Sequence, residues 1–185
     1  MESMFLAIQR VRDRQAVIVG TLQKAIIPFA LSGSNATFAW IASIDESATR
    51  QYRNVEIVIE CDDIERVVAA LADLGLIAEM RSDRILFRND SIRHDRWADM
   101  AIFAGNPMGG KLCSVPGLDR TELINGLPVI GLDRLVSFQL SRWLLDDQVD
   151  LRDLIDISLI DQNWIDKVSP ELASRLSELL EDPDG

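Results

Sequence analysis

Segments with strand and helix patterns alternate through the first two-thirds of this 185-residue chain, and only helical patterns follow. Residues 29–31 form a short apolar run, and residues 55–60 alternate in polarity among β-branched side chains, as a half-buried strand does. Residues 132–145 repeat apolar side chains at helical spacing. This order predicts an α/β (α+β) fold, with helices flanking a small mixed β-sheet and a helical segment at the C-terminal end.

The pattern also predicts how the chain is organised. We expect an α/β domain over residues 1–126 and a C-terminal helical segment over residues 127–185 that packs on it. Further strands are predicted at 76–80, 84–88 and 97–103. Residues 105–126 hold five glycines and two prolines, which indicates an irregular connection. Later helices are predicted at 132–145, 150–160 and 170–180.

Charge is concentrated at one end of the chain. The net charge of the chain is −11. Residues 132–185 have 13 acidic and 5 basic side chains, so this segment accounts for most of that charge. An acidic segment argues against duplex DNA or an anionic membrane as its partner, because phosphate groups need Lys and Arg. Two interpretations stay open for this segment, a solvated acidic face or a docking surface for a basic protein.

Targeting and metal-binding signals are weak. No stretch approaches the roughly 18 uninterrupted apolar residues of a membrane span, and the N-terminal residues lack the apolar region of a signal peptide, so we predict a cytoplasmic protein without a membrane contact. Cys61 and Cys113 form no Cys-x-x-Cys pair, which argues against structural zinc. His94 lies in a charged run and is predicted to be exposed.

Three short motifs could carry chemistry. Gly33 and Ser34 stand between a predicted strand and a helix, where backbone N–H groups can hold a phosphate, or where they simply form a turn and an N-cap. Asn54 and Glu56 are two positions apart on a strand and point the same way. Asp99 lies inside an apolar strand, either in a cleft as a third metal ligand or on a solvent face.

In this order and spacing, residues 29–36 and 48–59 resemble the opening of the minimal nucleotidyltransferase superfamily. Its members have an apolar strand, a Gly-Gly or Gly-Ser turn, a helix, an Arg-containing loop and Asp-x-Asp on the next strand, with a further acid on a later strand. Residues 127–136 and 147–154 are similar to the helical segment of bacterial members, including abortive-infection toxins. The resemblance covers residues 28–160.

The resemblance implies a divalent metal site at Asn54, Glu56 and Asp99, with Glu56 and Asp99 as the catalytic acids and Mg²⁺ or Mn²⁺ as the cofactor of an active enzyme. The match is imperfect because the first aspartate of the pair is Asn54, which brings no charge to the metal. The second is Glu56, which is one methylene longer than Asp. We therefore expect the metal site to be vestigial.

The same resemblance implies that the nucleotide contacts are Gly33, Ser34, Arg50, Arg53 and Gln139. Gln139 stands where the family has a lysine, so a cation expected near the phosphates is missing. Arg50 and Arg53 are read either as phosphate contacts or as solvated loop charges. An enzyme that transfers a nucleotidyl group must offset the charge of a triphosphate, largely with metal ions and cationic side chains.

These departures predict a nucleotidyltransferase-fold protein that is catalytically impaired or inactive and retains binding of an NTP. One alternative is an active, metal-dependent enzyme that moves NMP from an NTP to a hydroxyl of a protein, an RNA or a small molecule. Another alternative is a protein-interaction module with an acidic helical face. Trp143 and Trp164 among the helical leucines would also suit a homodimer.

Overall fold

The computed structural model of the chain describes residues 2–48, 50, 52–89, 98–107 and 112–182, and the side chains of residues 2–10 and 89 are outside this description. Within it, seven strands form one mixed sheet that is flanked by six α-helices. The predicted α/β fold class is therefore confirmed. His94 lies outside the described residues, as do the first residues of the strand predicted at 97–103.

The strands and helices follow the chain in an order close to the predicted one. The helices are α1 (Glu2–Lys24), α2 (Gly33–Ala42), α3 (Ile64–Ala72), α4 (Leu132–Arg142), α5 (Leu145–Asp156) and α6 (Pro170–Glu181). The strands are β1 (Ala30–Leu31), β2 (Glu56–Ile59), β3 (Leu76–Met80), β4 (Arg84–Asn89), β5 (Asp99–Phe103), β6 (Thr121–Ile124) and β7 (Leu127–Ile130).

The sheet has the strand order β3-β4-β5-β2-β1-β7-β6. Its centre is β2, whose four residues are all buried and which pairs in parallel with β5 and antiparallel with β1. The register places Glu56 opposite Met100. Because paired residues of neighbouring strands share a face, Glu56 and Met100 point to one side of the sheet, and the residues next to them in the chain point to the other.

One strand was missed in the sequence. β6 lies within the connection predicted to be irregular, and it forms a hairpin with β7. The turn is Asn125-Gly126, and both residues have positive φ angles of 50° and 79°. Asn-Gly is the strongest two-residue hairpin signal. The glycines and prolines that precede this turn indicate a loop, and they outweighed the hairpin signal of Asn125-Gly126 in the sequence-based prediction. β7, within the predicted segment 127–185, joins the sheet through β1 and β6.

The second helix of the C-terminal part of the chain begins earlier than predicted. Helix α4 ends at Arg142, because Trp143 adopts a left-handed conformation with φ of 56°. Helix α5 then starts at Leu145 and not at residue 150. This tight connection brings the last turn of α4 against the first turn of α5, which positions the site described below.

Buried side chains form two clusters. The larger one packs the sheet against helices α1 and α3 and also includes residues of α2 and α4. The smaller one joins α2 to α4, α5 and α6 through residues such as Ile41, Leu140, Leu151 and Leu176. Helix α2 thus packs between the sheet and the C-terminal helices. In the part of the chain that the structure describes, no helix combines the length and apolar character that crossing a membrane requires.

Candidate functional site

A cleft of about 500 Å³ opens on the face of the sheet that carries Glu56 and Met100. Strands β2, β5 and β4 form its floor, and the first turn of α2 and the junction of α4 with α5 form its walls. A cleft of this size is typical of small-molecule sites. The lining residues are Ser34, Asn35, Asn54, Glu56, Asp83, Arg84, Leu86, Arg88, Ala98, Met100, Arg142, Leu144, Asp146, Asp147 and Asp150.

The predicted Gly-Ser turn opens helix α2 directly against the Glu56 carboxylate. Gly33 has φ of +52°, and a Cβ atom on it would lie 2.8 Å from Oε1 of Glu56. Both the positive φ and the close approach require glycine here. The next residue is already committed, since the Ser34 hydroxyl donates to Oδ2 of Asp150 at 2.8 Å. The turn therefore meets carboxylates of its own chain.

Glu56 is buried, with 7% of its surface exposed, although it borders the cleft. Its backbone N–H donates to Oδ1 of Asn35 at 2.7 Å, which fixes the strand against helix α2. One carboxylate oxygen, Oε2, lies 3.5 Å from Nη1 of Arg142. The other oxygen, Oε1, is buried and has no hydrogen-bond donor among the described residues. The guanidinium of Arg142 therefore lies close to only one of the two carboxylate oxygens of Glu56.

The guanidinium of Arg142 is held firmly in place. Its Nε donates to Oδ2 of Asp147 at 3.0 Å, and its Nη2 pairs with Oδ1 of the same carboxylate. It also stacks 4.8 Å from the centre of the Phe138 ring. Burial lowers the pKa of Arg142, but the charges of Glu56 and Asp147 outweigh this effect and raise the pKa overall. Arg142 therefore stays charged between two carboxylates.

Two buried aspartates of helix α5 complete this wall. Burial raises the pKa of Asp147, although Arg142 opposes the shift by hydrogen bonding and charge. Burial raises the pKa of Asp150 to about 7, against the opposing effects of Ser34 and Arg50. The Asp150 carboxylate also accepts a hydrogen bond from Nε2 of Gln139 at 3.1 Å. These acids are solvated poorly, so each one depends on its donors for stability.

The predicted nucleotide contacts are placed unevenly around the cleft. Gly33 and Ser34 lie at its wall, whereas Gln139 is fully buried behind it and donates to Oγ1 of Thr37 as well as to Asp150. Arg50 pairs with Asp150 at 2.5 Å and with Asp153, which ties it to helix α5. Arg53 is exposed, and its carbonyl accepts from Arg14 at 3.3 Å.

Of the three predicted metal ligands, the structure brings two together. Asn54 and Glu56 line the cleft, while Asp99 lies on the opposite face of the sheet, because its chain neighbour Met100 shares the face of Glu56. The Asp99 carboxylate accepts from the Val55 N–H at 2.8 Å and pairs with Nε of Arg14 at 2.6 Å. It thus joins strand β2 to helix α1, away from the cleft.

The residues present do not fit the divalent metal that the resemblance implies. The cleft face offers an amide at Asn54, a carboxylate at Glu56 that already faces Arg142, and a thioether at Met100. Mg²⁺ favours several charged or water oxygens in near-octahedral geometry, and thioether sulfur is a poor ligand for it. Among the residues that the structure describes, no group of three or more His, Cys, Asp or Glu is arranged to hold a metal ion.

Several cleft residues were not singled out from the sequence. Arg142, Asp147 and Asp150 lie on two helices whose junction depends on the left-handed Trp143, which no local pattern indicated. Two further arginines, Arg84 and Arg88, line the cleft from β4. Their alternation with apolar Leu86 was a usable signal, since it places three side chains on one face of a strand.

Comparison with known proteins supports the fold and nothing finer. No family model matches the sequence, and no curated protein matches it. The structure is similar to a protein from H. pylori that is assigned as a nucleotidyltransferase, with a TM-score of 0.54, 16% identity, and coverage of 96% of this chain and 78% of that chain. It is also similar to JHP933 from Helicobacter pylori, with a TM-score of 0.50, 16% identity, and coverage of 96% and 75%.

A third similar structure is the antibiotic-resistance factor ANT(2'')-Ia in solution, with a TM-score of 0.52, 14% identity, and coverage of 90% of this chain and 88% of that chain. These similarities cover 90–96% of this chain. The chain therefore has the nucleotidyltransferase fold.

Proposed function

We propose that this protein is a catalytically impaired nucleotidyltransferase-fold protein, which keeps a ligand cleft but does not transfer nucleotidyl groups efficiently. One observation carries the proposal: the cleft carboxylate of strand β2, Glu56, faces Arg142, while Asp99 points to the other side of the sheet. Transfer from a triphosphate needs concentrated positive charge at the phosphates. The fold supplies the cleft, but Glu56 pairs with Arg142 and Asp99 pairs with Arg14.

Residual nucleotide binding is the second part of the proposal. The cleft combines an apolar surface of Leu86, Met100 and Leu144 with the cations Arg84 and Arg88. Its charged lining residues number five acids and three arginines. A net negative lining repels phosphate groups, so a nucleotide that lacks a bound cation loses affinity with each added phosphate. We expect weak binding that ranks a nucleoside monophosphate above the triphosphate.

The direct test is incubation with each labelled nucleoside triphosphate and Mg²⁺ or Mn²⁺, followed by detection of label on protein, RNA and small alcohols. The Glu56→Gln variant sets the baseline, because any metal site built on strand β2 needs the Glu56 carboxylate. We expect the wild type to transfer no more label than this variant. Robust metal-dependent transfer that the Glu56→Gln variant loses would refute the proposal.

Binding is tested separately by calorimetric titration of AMP, ADP and ATP in EDTA. We expect AMP to bind more tightly than ATP, and Arg88→Ala to weaken both. Arg81→Ala is the matched control, since Arg81 is an exposed arginine next to the same hairpin that pairs with Glu79 outside this cleft. Equal effects of the two variants, or no binding of any of these nucleotides, would contradict retained nucleotide binding.

A second candidate is the active, metal-dependent enzyme, and one observation favours it. Oε1 of Glu56 is a buried carboxylate oxygen with no donor among the described residues, and such an atom is costly unless a partner reaches it. In an active enzyme, Glu56→Gln abolishes transfer and lowers metal affinity together. In the impaired protein, the same substitution leaves both unchanged, so this single variant separates the two candidates.

A further inference from the structure

We propose that the guanidinium of Arg142 takes the place of a divalent cation beside Glu56. The cleft then contains a tethered positive charge and binds its ligand without a bound metal ion. This inference rests on the proposed function, a cleft that is catalytically impaired. It identifies Arg142 as the group that supplies positive charge there in place of a metal ion. It goes further by assigning a role to a residue that no motif had indicated.

Glu56 lies where Arg142 and a divalent cation would have to share its carboxylate. The carboxylate lies against the Gly33 turn, on the cleft side of the sheet, with one oxygen 3.5 Å from Nη1 of Arg142. A divalent cation bound to the same carboxylate would stand within a few ångströms of this guanidinium. Like charges at such a distance in a partly buried site repel strongly. Arg142 and a metal ion therefore compete for Glu56.

Arg142 cannot easily move away from Glu56. Only 11% of its side chain is exposed. The Asp147 carboxylate holds it at two nitrogen atoms, and the Phe138 ring packs on its face. These contacts fix the position of the planar guanidinium, much as ligands fix the position of a bound metal ion. The charge is thus supplied by the fold and does not depend on the concentration of an ion.

The positions next to Glu56 on the cleft face offer few ligands for a divalent cation. Asn54, two residues before Glu56 and just outside strand β2, offers an amide where a second carboxylate would stand, and strand β5 offers Met100 on the cleft face. Of Asn54, Glu56 and Met100, only Glu56 carries a carboxylate, and Arg142 already faces it. These ligand positions therefore agree with an internal arginine in place of a metal ion.

The proposal is tested by Mn²⁺ titration followed by electron paramagnetic resonance, without any nucleotide. We compare the wild type, Glu56→Gln, Arg142→Met, the double variant and Arg134→Met. Arg134 is the matched control, because it lies on the same helix and is half-exposed near Asp133. We expect no saturable site in the wild type, and Mn²⁺ affinity in Arg142→Met more than about tenfold above that of Arg134→Met, because a like charge has been removed.

The double variant should lose the site that Arg142→Met gains, since Glu56 is its ligand. A folded Arg142→Met variant that gains no Mn²⁺ affinity would overturn the proposal. If Arg142→Met does not fold, the wild type and Glu56→Gln decide alone. Equal, unsaturated titrations of these two support the proposal, and a wild-type Mn²⁺ site that Glu56→Gln removes overturns it.

These outcomes are distinct from those of the proposed function. Label transfer that persists in EDTA would refute catalytic impairment and leave the metal-free cleft standing. A Glu56-dependent Mn²⁺ site in a protein that transfers no label would refute the role of Arg142 and leave the impairment standing.

Discussion

Replacement of Arg142 by methionine should destabilise the protein more than any comparable change of charge on helix α4. The substitution keeps an unbranched side chain but leaves Asp147, 1% exposed at its side chain, and Glu56, 9% exposed, without their shared cation. Removing one partner of a buried ion pair costs about 3–5 kcal/mol, because the remaining charge stays in a poorly solvated place. This is a large share of the roughly 5–15 kcal/mol that stabilises a typical folded protein.

The assay is urea unfolding followed by circular dichroism, supported by calorimetry. For a chain of this size, about 1 kcal/mol shifts Tm by roughly 2–4 °C, so we expect Arg142→Met to lower Tm by about 6–20 °C. Arg134→Met should change the free energy of unfolding by no more than about 0.5 kcal/mol, as surface substitutions usually do.

A double-mutant cycle isolates the pairing itself. Adding Glu56→Gln or Asp147→Asn to Arg142→Met removes one orphaned carboxylate, and each double variant should recover part of the lost stability. If Arg142→Met costs no more than Arg134→Met, or if neither second substitution recovers stability, then Arg142 does not neutralise these carboxylates and the account of the cleft wall is wrong.

Three further predictions concern the surroundings of this pair. Gly33→Ala should cost about 1–3 kcal/mol, because it is strained at positive φ and its Cβ meets Glu56, whereas Gly20→Ala in helix α1 meets no neighbour within 4 Å and should stabilise slightly; urea unfolding of both variants checks this. Asp150 has a raised pKa of about 7, so the folded state keeps its proton after the unfolded state has lost it. Stability should therefore fall by up to about 4 kcal/mol as pH rises from about 4 to 7, and a pH series on Asp150→Asn should lack this component. Asp99→Asn should lower stability by about 1–3 kcal/mol through its buried bonds and leave the Mn²⁺ and AMP titrations unchanged; altered titrations would restore its predicted role in the cleft.

Much of the fold was predictable because it depends on local patterns. The buried strand β2, the hairpin of β3 with β4 and the apolar stripe of α6 each follow from the period of their side chains. The Asn125-Gly126 turn of the β6–β7 hairpin was also a local signal, but it was embedded among residues that favour loops.

The site was predictable only in part, because its pairing is decided by tertiary contacts. The resemblance to the nucleotidyltransferase superfamily implied that the Gly33 turn and Glu56 belong to one site, and the antiparallel pairing of β1 with β2 brings them together. The sequence alone could not show which face Asp99 occupies, since that depends on the register of β5 with β2. Nor could it show that Arg142 faces two carboxylates, since this requires α4 to stop at a left-handed tryptophan.

The position of Arg142 also bears on how readily such a protein could acquire metal chemistry. An aspartate at position 54 would add a negative charge near Glu56 while the guanidinium still excluded the ion that charge is meant to bind. Loss of Arg142 alone would strand Asp147 in the interior. A stable metal site in this cleft would therefore require changes in two segments that are distant in sequence, the residues around Glu56 and the junction of helices α4 and α5.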